Sequence, residues 1–483
     1  MANKLSTYLI ILLIIASFFE LKAQNSFFKS YGGNGNDYGE NIISCVDSGY
    51  IAVGSTESFG YGLMDLFIMK LNNSGDVDWH KTFGGVGIDY GTDIIQTSDS
   101  GFIATGYSNS ENMNYSIFLV KIDKNGNLLW TKRYGGDDWD FSYQIIESKV
   151  NTNQFYIVGQ TYSFGNSNGN AFLLKINEIG DSLWMNTYEY FESGVFYDLI
   201  EDENGNLYAL GNCSDSLNQT SLWISKMNPL GDTIWNFKYD SLNTFGNSII
   251  RLEDRLFYCG KQNHINTSNE IESKFLLGSI DTNGQILFDT NYNHFSNYEK
   301  SCVKLIPKHD SNNYYLVSNI SDTSANNKIF YSEINTVSSI YDTAYINGNG
   351  SDFVHGADTL LNENGIILIG TTEETNNGFT DILISKIQNN YWNNNFSNTL
   401  LVSINNKQKK CYNIYPNPTK GDIFFNGINS NIEIIISNSS GRIVDKSTII
   451  NNCYNAAKLK SGMYFITIIK VDGERVKSSF IKL

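Results

Sequence analysis

Four Asp–aromatic pairs are the residues whose type and recurrence could do chemistry: Asp37–Tyr38, Asp89–Tyr90, Asp140–Phe141 and Asp352–Phe353. A partial ring of carboxylates and aromatic faces around one mouth could bind a cation, a sugar or a peptide. A second reading has each Asp capping backbone amides in a Gly-rich crossover and each aromatic packing between repeats. Scaffold residues recur at equivalent positions too. The unequal loops on the same face, notably residues 263–274, are better places for specificity.

Other motifs carry less. "GNSNG" at 165–169 matches G-x-S-x-G but falls in a loop between strands, not between a strand and a helix. "DKNGN" (123–127) and "DTNGQ" (281–285) begin like calcium loops, yet they lack the twelfth-position Glu and coincide with hairpin turns. His80, His264, His294, His309 and His355 share no repeat position and no metal spacing, so no metal and no cofactor is expected. No acid/base pair stands out against the repeat background.

The elements that must position these residues come from an internal period. Tyr31, Phe83, Tyr134, Tyr188, Tyr239, Tyr292 and Tyr345 recur at spacings of 51–54 residues, the first three within "YGG" or "FGG". Each unit holds four short alternating runs separated by Gly, Asn and Asp, which predicts four antiparallel strands. In the second unit they are 90–97, 102–108, 117–123 and 128–134. Strand 2 carries a Gly at 54, 106, 159, 211, 260 and 370, which allows another backbone or ring to come close. Strand 3 carries a Lys at 70, 121, 175, 226 and 386, expected on a wetter face.

Four-stranded units repeated radially predict an all-β, seven-bladed β-propeller over 24–396; an open β-solenoid is the alternative, with coils usually much shorter than these units. Strand 4 is missing from the seventh unit. Its match is "FFKSY" at 27–31, where Phe27 takes the place of Trp79 or Trp130 and Tyr31 the place of the anchor. The N-terminal strand should therefore close the last blade and leave no open edge.

Residues 1–23 combine Lys4, a short apolar run and a small residue before Gln24, the pattern of a cleaved signal peptide. The net charge of −16 argues against nucleic acid or an anionic membrane as partner. Six Cys are too few and too irregular for a disulfide framework. Cys45, Cys213, Cys259 and Cys302 read as buried small apolar residues, and Cys411 and Cys453 are left open as a pair.

Beyond a polar linker at 397–410 the period is lost, and 411–483 reads as a small β-sandwich. Its motifs are Tyr415-Pro416-Asn417-Pro418, the Gly441-Arg442 turn, Ser461 to Phe465 with Gly462 and Tyr464, and the ending Lys482-Leu483. This set resembles the type A sorting domain, an Ig-like sandwich, carried by cargo of the type IX secretion system. The repeats are similar to propeller repeats frequent in such secreted proteins. The resemblance implies export across the outer membrane, to the surface or beyond, with the secretion machinery as partner. The function expected is a non-catalytic, monomeric binding or cell-surface protein with a glycan or protein ligand. The alternative is a propeller hydrolase or lyase acting on glycans or peptides, with carboxylates at the central mouth.

Overall fold

The computed structural model describes residues 26–111, 113–239, 241, 243–265, 271–292, 299–308, 313–321, 327–335, 340–346, 351–361, 363–373, 380–388, 400–403, 414–415, 421–425, 432–438, 442–449, 453–469 and 475–482. The leader at 1–23 and Cys411 lie outside the described residues. The chain divides into two compact units, up to Ser403 and from Ile404.

The described residues of the first unit form seven sheets, antiparallel except for one strand added at the edge of the last. Sheet 1 takes Asp37–Ser44, Tyr50–Thr56, Asp65–Leu71 and Val77–Phe83 in that order. Sheets 2 to 6 repeat this plan with first strands Asp89–Gln96, Asp140–Glu147, Ser193–Glu201, Thr244–Leu252 and Glu299–Pro307. Sheet 7 takes Asp352–Thr359, Gly365–Thr372 and Asp381–Gln388, then borrows Phe27–Gly32 as its fourth strand. First strands of successive sheets touch, and that of sheet 1 touches that of sheet 7, so all seven surround one axis.

The hydrophobic core is divided among the sheet interfaces. Ile51, Val53 and Leu66 of sheet 1 pack with Ile94, Phe102 and Phe118 of sheet 2. Tyr315 and Val317 of sheet 6 pack likewise with Leu368 and Leu383 of sheet 7. Second and third strands such as Tyr50–Thr56 and Asp65–Leu71 are buried throughout. The glycines of strand 2 follow from this crowding: a Cβ on Gly54 would meet the Tyr38 carbonyl at 1.8 Å, and one on Gly106 the Tyr90 carbonyl at 1.7 Å.

Phe27–Gly32 runs antiparallel to Asp381–Gln388, with Phe27 opposite Lys386 and Tyr31 opposite Ile382. It also repeats the contact other fourth strands make with the following sheet. Trp130 covers Gly180 and Trp184 covers Gly231, hairpin glycines with φ of +79° and +84°. Tyr134 and Tyr188 donate to the carbonyls of the same glycines. Phe27 lies 2.7 Å from where a Cβ on Gly75 (φ +77°) would sit, and the Tyr31 hydroxyl donates to Gly75 O at 2.6 Å. The first strand of the chain thus holds sheet 1 as its counterparts hold sheets 3 and 4.

Three expectations need correction. The strand 3 lysines are not on a wet face: Lys70, Lys121, Lys175 and Lys386 are all buried. Their sheet is covered on both sides, so the stems run along apolar surface and the ammonium groups reach the hairpin end, as at Lys70–Asp47 and Lys121–Asp99, both 2.9 Å. Cys259 and Cys302 are not separate apolar residues but a disulfide joining sheets 5 and 6. They occupy different strand positions, which hid the pair from a comparison of repeats, but those positions face each other across one interface. Finally, Leu400–Ser403, inside the expected linker, is a strand paired in parallel with Phe27–Gly32. It covers the edge that the closing strand would otherwise present to water.

The second unit holds two sheets. One contains Ile414–Tyr415, Asp422–Phe425 and Cys453–Asn455; the other orders Ile443–Ile449, Ile432–Asn438, Gly462–Ile469 and Arg475–Lys482. Ile423 and Tyr454 of the first share a core with Ile434, Ile436, Ile466 and Ile468 of the second.

Candidate functional site

The aspartates of the four pairs are all fully buried. All four open a first strand; Asp37, Asp89 and Asp140 follow a Gly-Gly crossover, and local hydrogen bonds occupy their carboxylates. Asp37 accepts from Gly33 N at 2.8 Å, Ser58 Oγ at 2.6 Å and the Thr56 hydroxyl. Asp89 takes Gly85 N, Ser110 and Ser108, and Asp140 takes Gly136 N, Ser163 and Thr161. Asp352 is equally buried, opposite Thr372. The aromatic partners are half-buried. Tyr90 stacks on Tyr107 at 5.2 Å, and Tyr107 meets Phe141 edge-on at 5.0 Å, a contact between sheets 2 and 3. Tyr38 and Phe353 sit at the equivalent register, opposite Ser55 and Thr371.

Polar groups converge further along the same strands. All seven first strands shift register after the third or fourth residue, leaving one residue extra. The residue after each bulge is Asn41, Asp93, Gln144, Asp198, Ser248, Lys304 or Gly356. From sheet 2 to sheet 6, four of these side chains accept the backbone amide that follows the next bulge. Asp93 takes Ile145 N at 2.9 Å, Gln144 takes Leu199 N, Asp198 takes Ile249 N at 2.8 Å and Ser248 takes Leu305 N at 3.2 Å. The result is a polar belt around the axis.

Asp198 is its most heavily bonded member. One oxygen accepts Gln144 Nε2 at 2.5 Å and Lys304 Nζ at 3.1 Å; the other accepts Ser248 Oγ and Ile249 N, both at 2.8 Å. Burial alone would lower the Lys304 pKa, but the charges of Asp198 and Asp93 raise it. Burial pushes Asp93 up to about 6 despite the Ile145 amide and the Lys304 charge.

Between sheets 3 to 7, beside this belt, lies a cavity of about 450 Å³. Ile200, Ile249, Ile250, Leu305 and Ile306 supply apolar lining, while Glu201, Glu203, Glu253, Asp254 and Asp358 line it with acid. It opens where first strands turn into second strands. The sequence reading placed the mouth at the opposite end, where the Asp–aromatic pairs begin. The belt was missed because its residue type changes from sheet to sheet. Its sequence signal is a break in alternation before the apolar pair, as in "ENII", "TDII" and "YQII".

One axial contact gives a pH dependence. His355 of sheet 7 lies 3.2 Å from Glu40 of sheet 1. Burial would lower the imidazole pKa, but the hydrogen bond and charge of Glu40 outweigh it and raise it. The stabilisation is therefore complete below the ordinary histidine pKa of about 6.5 and is lost as pH rises through the raised folded value. Wild type should lose about 1 kcal/mol or less between pH 6 and pH 8 through this pair, and His355→Gln should remove that part of the slope in melts across the range.

In the second unit, Tyr415 lies in its short strand, while Pro416, Asn417, Pro418 and Gly441 fall outside the described residues. Arg442 is exposed. Gly462 opens its strand with φ +152°, and Tyr464 is buried, its hydroxyl donating to Lys460 O at 2.8 Å. Lys482 is buried at the end of the last strand.

Residues 413–482 match the family described as a secretion system C-terminal sorting domain. The chain therefore ends in a type IX sorting domain, which implies engagement of the type IX secretion machinery and export to the cell surface or release. A comparison with curated proteins gives no match. Among solved structures, the chain is similar to the Pan2 WD40 domain of Neurospora crassa at 10% identity, over 74% of this chain and 99% of that one, with TM-score 0.47. It is similar to PorZ, a surface component of the type IX secretion system of Porphyromonas gingivalis, at 10% identity, over 94% and 70%, with TM-score 0.35. The β-propeller domain of the trilobed protease from Pyrococcus furiosus gives 9% identity over 73% and 95%, with TM-score 0.41.

Proposed function

We propose that this chain is an exported, non-catalytic binding protein that acts as a monomer and takes its ligand in the acidic cavity at the hairpin end of the axis. In this reading the first unit is a seven-bladed β-propeller closed by its N-terminal strand. The second unit is an Ig-like sandwich whose Tyr415–Pro418, Gly441, Arg442, Gly462, Tyr464 and Lys482 meet the secretion machinery. Residues 1–23 act as the signal peptide for the first membrane. The Cys259–Cys302 disulfide supports the same route, since structural disulfides persist in oxidising compartments.

The cavity carries the functional part of the proposal. Its lining has six carboxylates, Asp198, Glu201, Glu203, Glu253, Asp254 and Asp358, against Lys149, Arg251 and Lys304. Arg251 is paired with Glu203 and Lys304 with Asp198. An acidic recess focuses negative potential and favours a cationic ligand. The apolar lining suits the stem of a lysine or arginine side chain. Among the described residues no Phe, Tyr or Trp lines the cavity, so they offer no aromatic face on which a sugar ring stacks. A peptide bearing a basic side chain is the ligand class this favours. The enzymatic alternative is less favoured, because three of its four candidate carboxylates, Asp37, Asp89 and Asp140, are taken up by hydrogen bonds.

Isothermal titration with short peptides tests this. Lysine- and arginine-bearing peptides should bind, salt should weaken them, and Asp254→Asn should reduce affinity several-fold with the melting temperature unchanged. Equal binding of acidic peptides, or binding only to glycans, would overturn it.

A further inference from the structure

The end of the axis where the Asp–aromatic pairs begin is built from two kinds of segment. Loops join second to third strands, and crossovers lead to the next sheet. Over sheets 1 to 4 these segments interlock into one surface. Leu63 N donates to Gly87 O at 3.0 Å, tying the sheet 1 loop (57–64) to the crossover 84–88. Gly87 N donates in turn to Ser110 Oγ at 3.0 Å in the sheet 2 loop (109–115). Tyr115 of that loop meets Trp139 of the crossover 135–139 edge-on at 6.2 Å. Tyr162 N of the sheet 3 loop (162–169) donates to Trp139 O at 2.8 Å. Asn168 Nδ2 donates to Glu192 in the crossover 189–192 at 2.6 Å. Glu192 N then donates to Ser214 O at 3.1 Å, where the sheet 4 loop (215–219) begins.

Each of these segments exposes a large apolar side chain. Leu63, Met113 and Leu217 in the loops and Val86, Trp139 and Tyr190 in the crossovers are 48% to 97% exposed. Phe164 joins them from the sheet 3 loop. Single exposed apolar residues are ordinary, but a contiguous run marks a binding surface, and Trp, Tyr, Phe and Met are enriched at protein interfaces. The charge on the same segments has one sign. They contain Glu57, Asp137, Asp138, Glu189, Glu192 and Asp215, as well as Glu111, and no Lys or Arg. Two cations reach them from fourth strands: Arg133, paired with Glu111 at 2.6 Å, and Lys238, over the Phe191 ring at 5.6 Å. Acid therefore stays in excess. The hairpin end also exposes apolar side chains, such as Leu129 and Leu230, but there Lys124 and Lys149 stand exposed among the acids.

We propose that this loop face of sheets 1 to 4 docks a partner protein, through a segment that carries Lys or Arg among exposed apolar side chains. Charge complementarity selects that partner: the apolar row is rimmed by acid, so a basic segment is drawn in and an acidic one is repelled. A second copy of the chain does not fit, because two such faces would bring like charges together. Leu63, Val86, Met113 and Leu217 offer no flat ring to a sugar, which favours a protein over a glycan. Trp139 and Tyr190 are the anchors that carry most of the affinity. This face lies at the opposite end of the axis from the acidic cavity and does not depend on a ligand there.

The test titrates the full chain against short labelled peptides of alternating Lys and Leu, alternating Glu and Leu, and alternating Lys and Ser. Fluorescence anisotropy should show binding of the Lys–Leu peptide alone, weakened by salt. Trp139→Ser combined with Tyr190→Ser should weaken it about tenfold or more at an unchanged melting temperature. Asp137→Asn combined with Asp138→Asn should flatten its salt dependence, and Asp254→Asn, in the cavity, should leave it unaltered. No binding of the Lys–Leu peptide, or equal binding of the Glu–Leu peptide, overturns the proposal. So does undiminished affinity in the Trp139 and Tyr190 double variant; a loss confined to Asp254→Asn would place the peptide in the cavity instead. Glycan binding or self-association abolished by Trp139→Ser would assign the face to a sugar or to a second copy, and overturns the proposal equally.

Discussion

Deleting residues 25–31 should lower the melting temperature of the first unit more than any single substitution. Phe27, Phe28 and Tyr31 are 9%, 4% and 0% exposed, and each buried aromatic contributes about 1.5–3 kcal/mol. The deletion also opens the ladder along Asp381–Gln388, uncovers Gly75, and removes the Lys29 contacts with Ser74 O and Asp76. Leu400–Ser403 loses the only strand with which it pairs among the described residues. Phe27→Ala is the milder version; within the roughly 3–5 kcal/mol span of buried Phe→Ala changes it should fall at the low end, because Phe27 lies at a rim. A deletion variant that melts with wild type would show that closure contributes nothing.

The second large effect is expected at Asp198. Asp198→Ala leaves Lys304 without its carboxylate and strands the amide of Ile249 and the hydroxyl of Ser248. Removing one partner of a buried pair typically costs about 3–5 kcal/mol, because the remaining charge is uncompensated. Adding Lys304→Met should recover part of that loss, since the stranded charge goes with it. Chemical denaturation of the two single variants and the double variant measures the coupling. A loss below about 1 kcal/mol in Asp198→Ala would mean that the belt does not hold the sheets together.

Much of the first unit was legible because its repeat states the same physical constraint several times. The glycine of strand 2 recurs because the first strand's carbonyl leaves no room for a Cβ, and the aromatic of strand 4 recurs because it covers a hairpin glycine. A strand matching that grammar could be recognised at the wrong end of the chain. The belt was not legible, because bulge position and backbone geometry define it, and Asn, Asp, Gln, Ser and Lys can all serve there. The disulfide was hidden for a related reason: its halves come from different strand positions of adjacent sheets. The Asp–aromatic pairs were found, but their burial and the serines and threonines that bind them depend on tertiary contacts. In the sorting domain the motifs were legible in sequence, and the match over 413–482 is to that same segment.

The pairing of Phe27 with Lys386 has a consequence for the order of events during biogenesis. The closing strand is made before the rest of its ring, yet its partner follows more than three hundred residues later. Contacts this distant in sequence form late, because the loop between them must be ordered first. Sheets 1 to 6 can assemble as the chain emerges, each on its predecessor, while the first strand stays unpaired. The ring therefore cannot lock until almost the whole unit has been made, and until then the sheets remain an open stack.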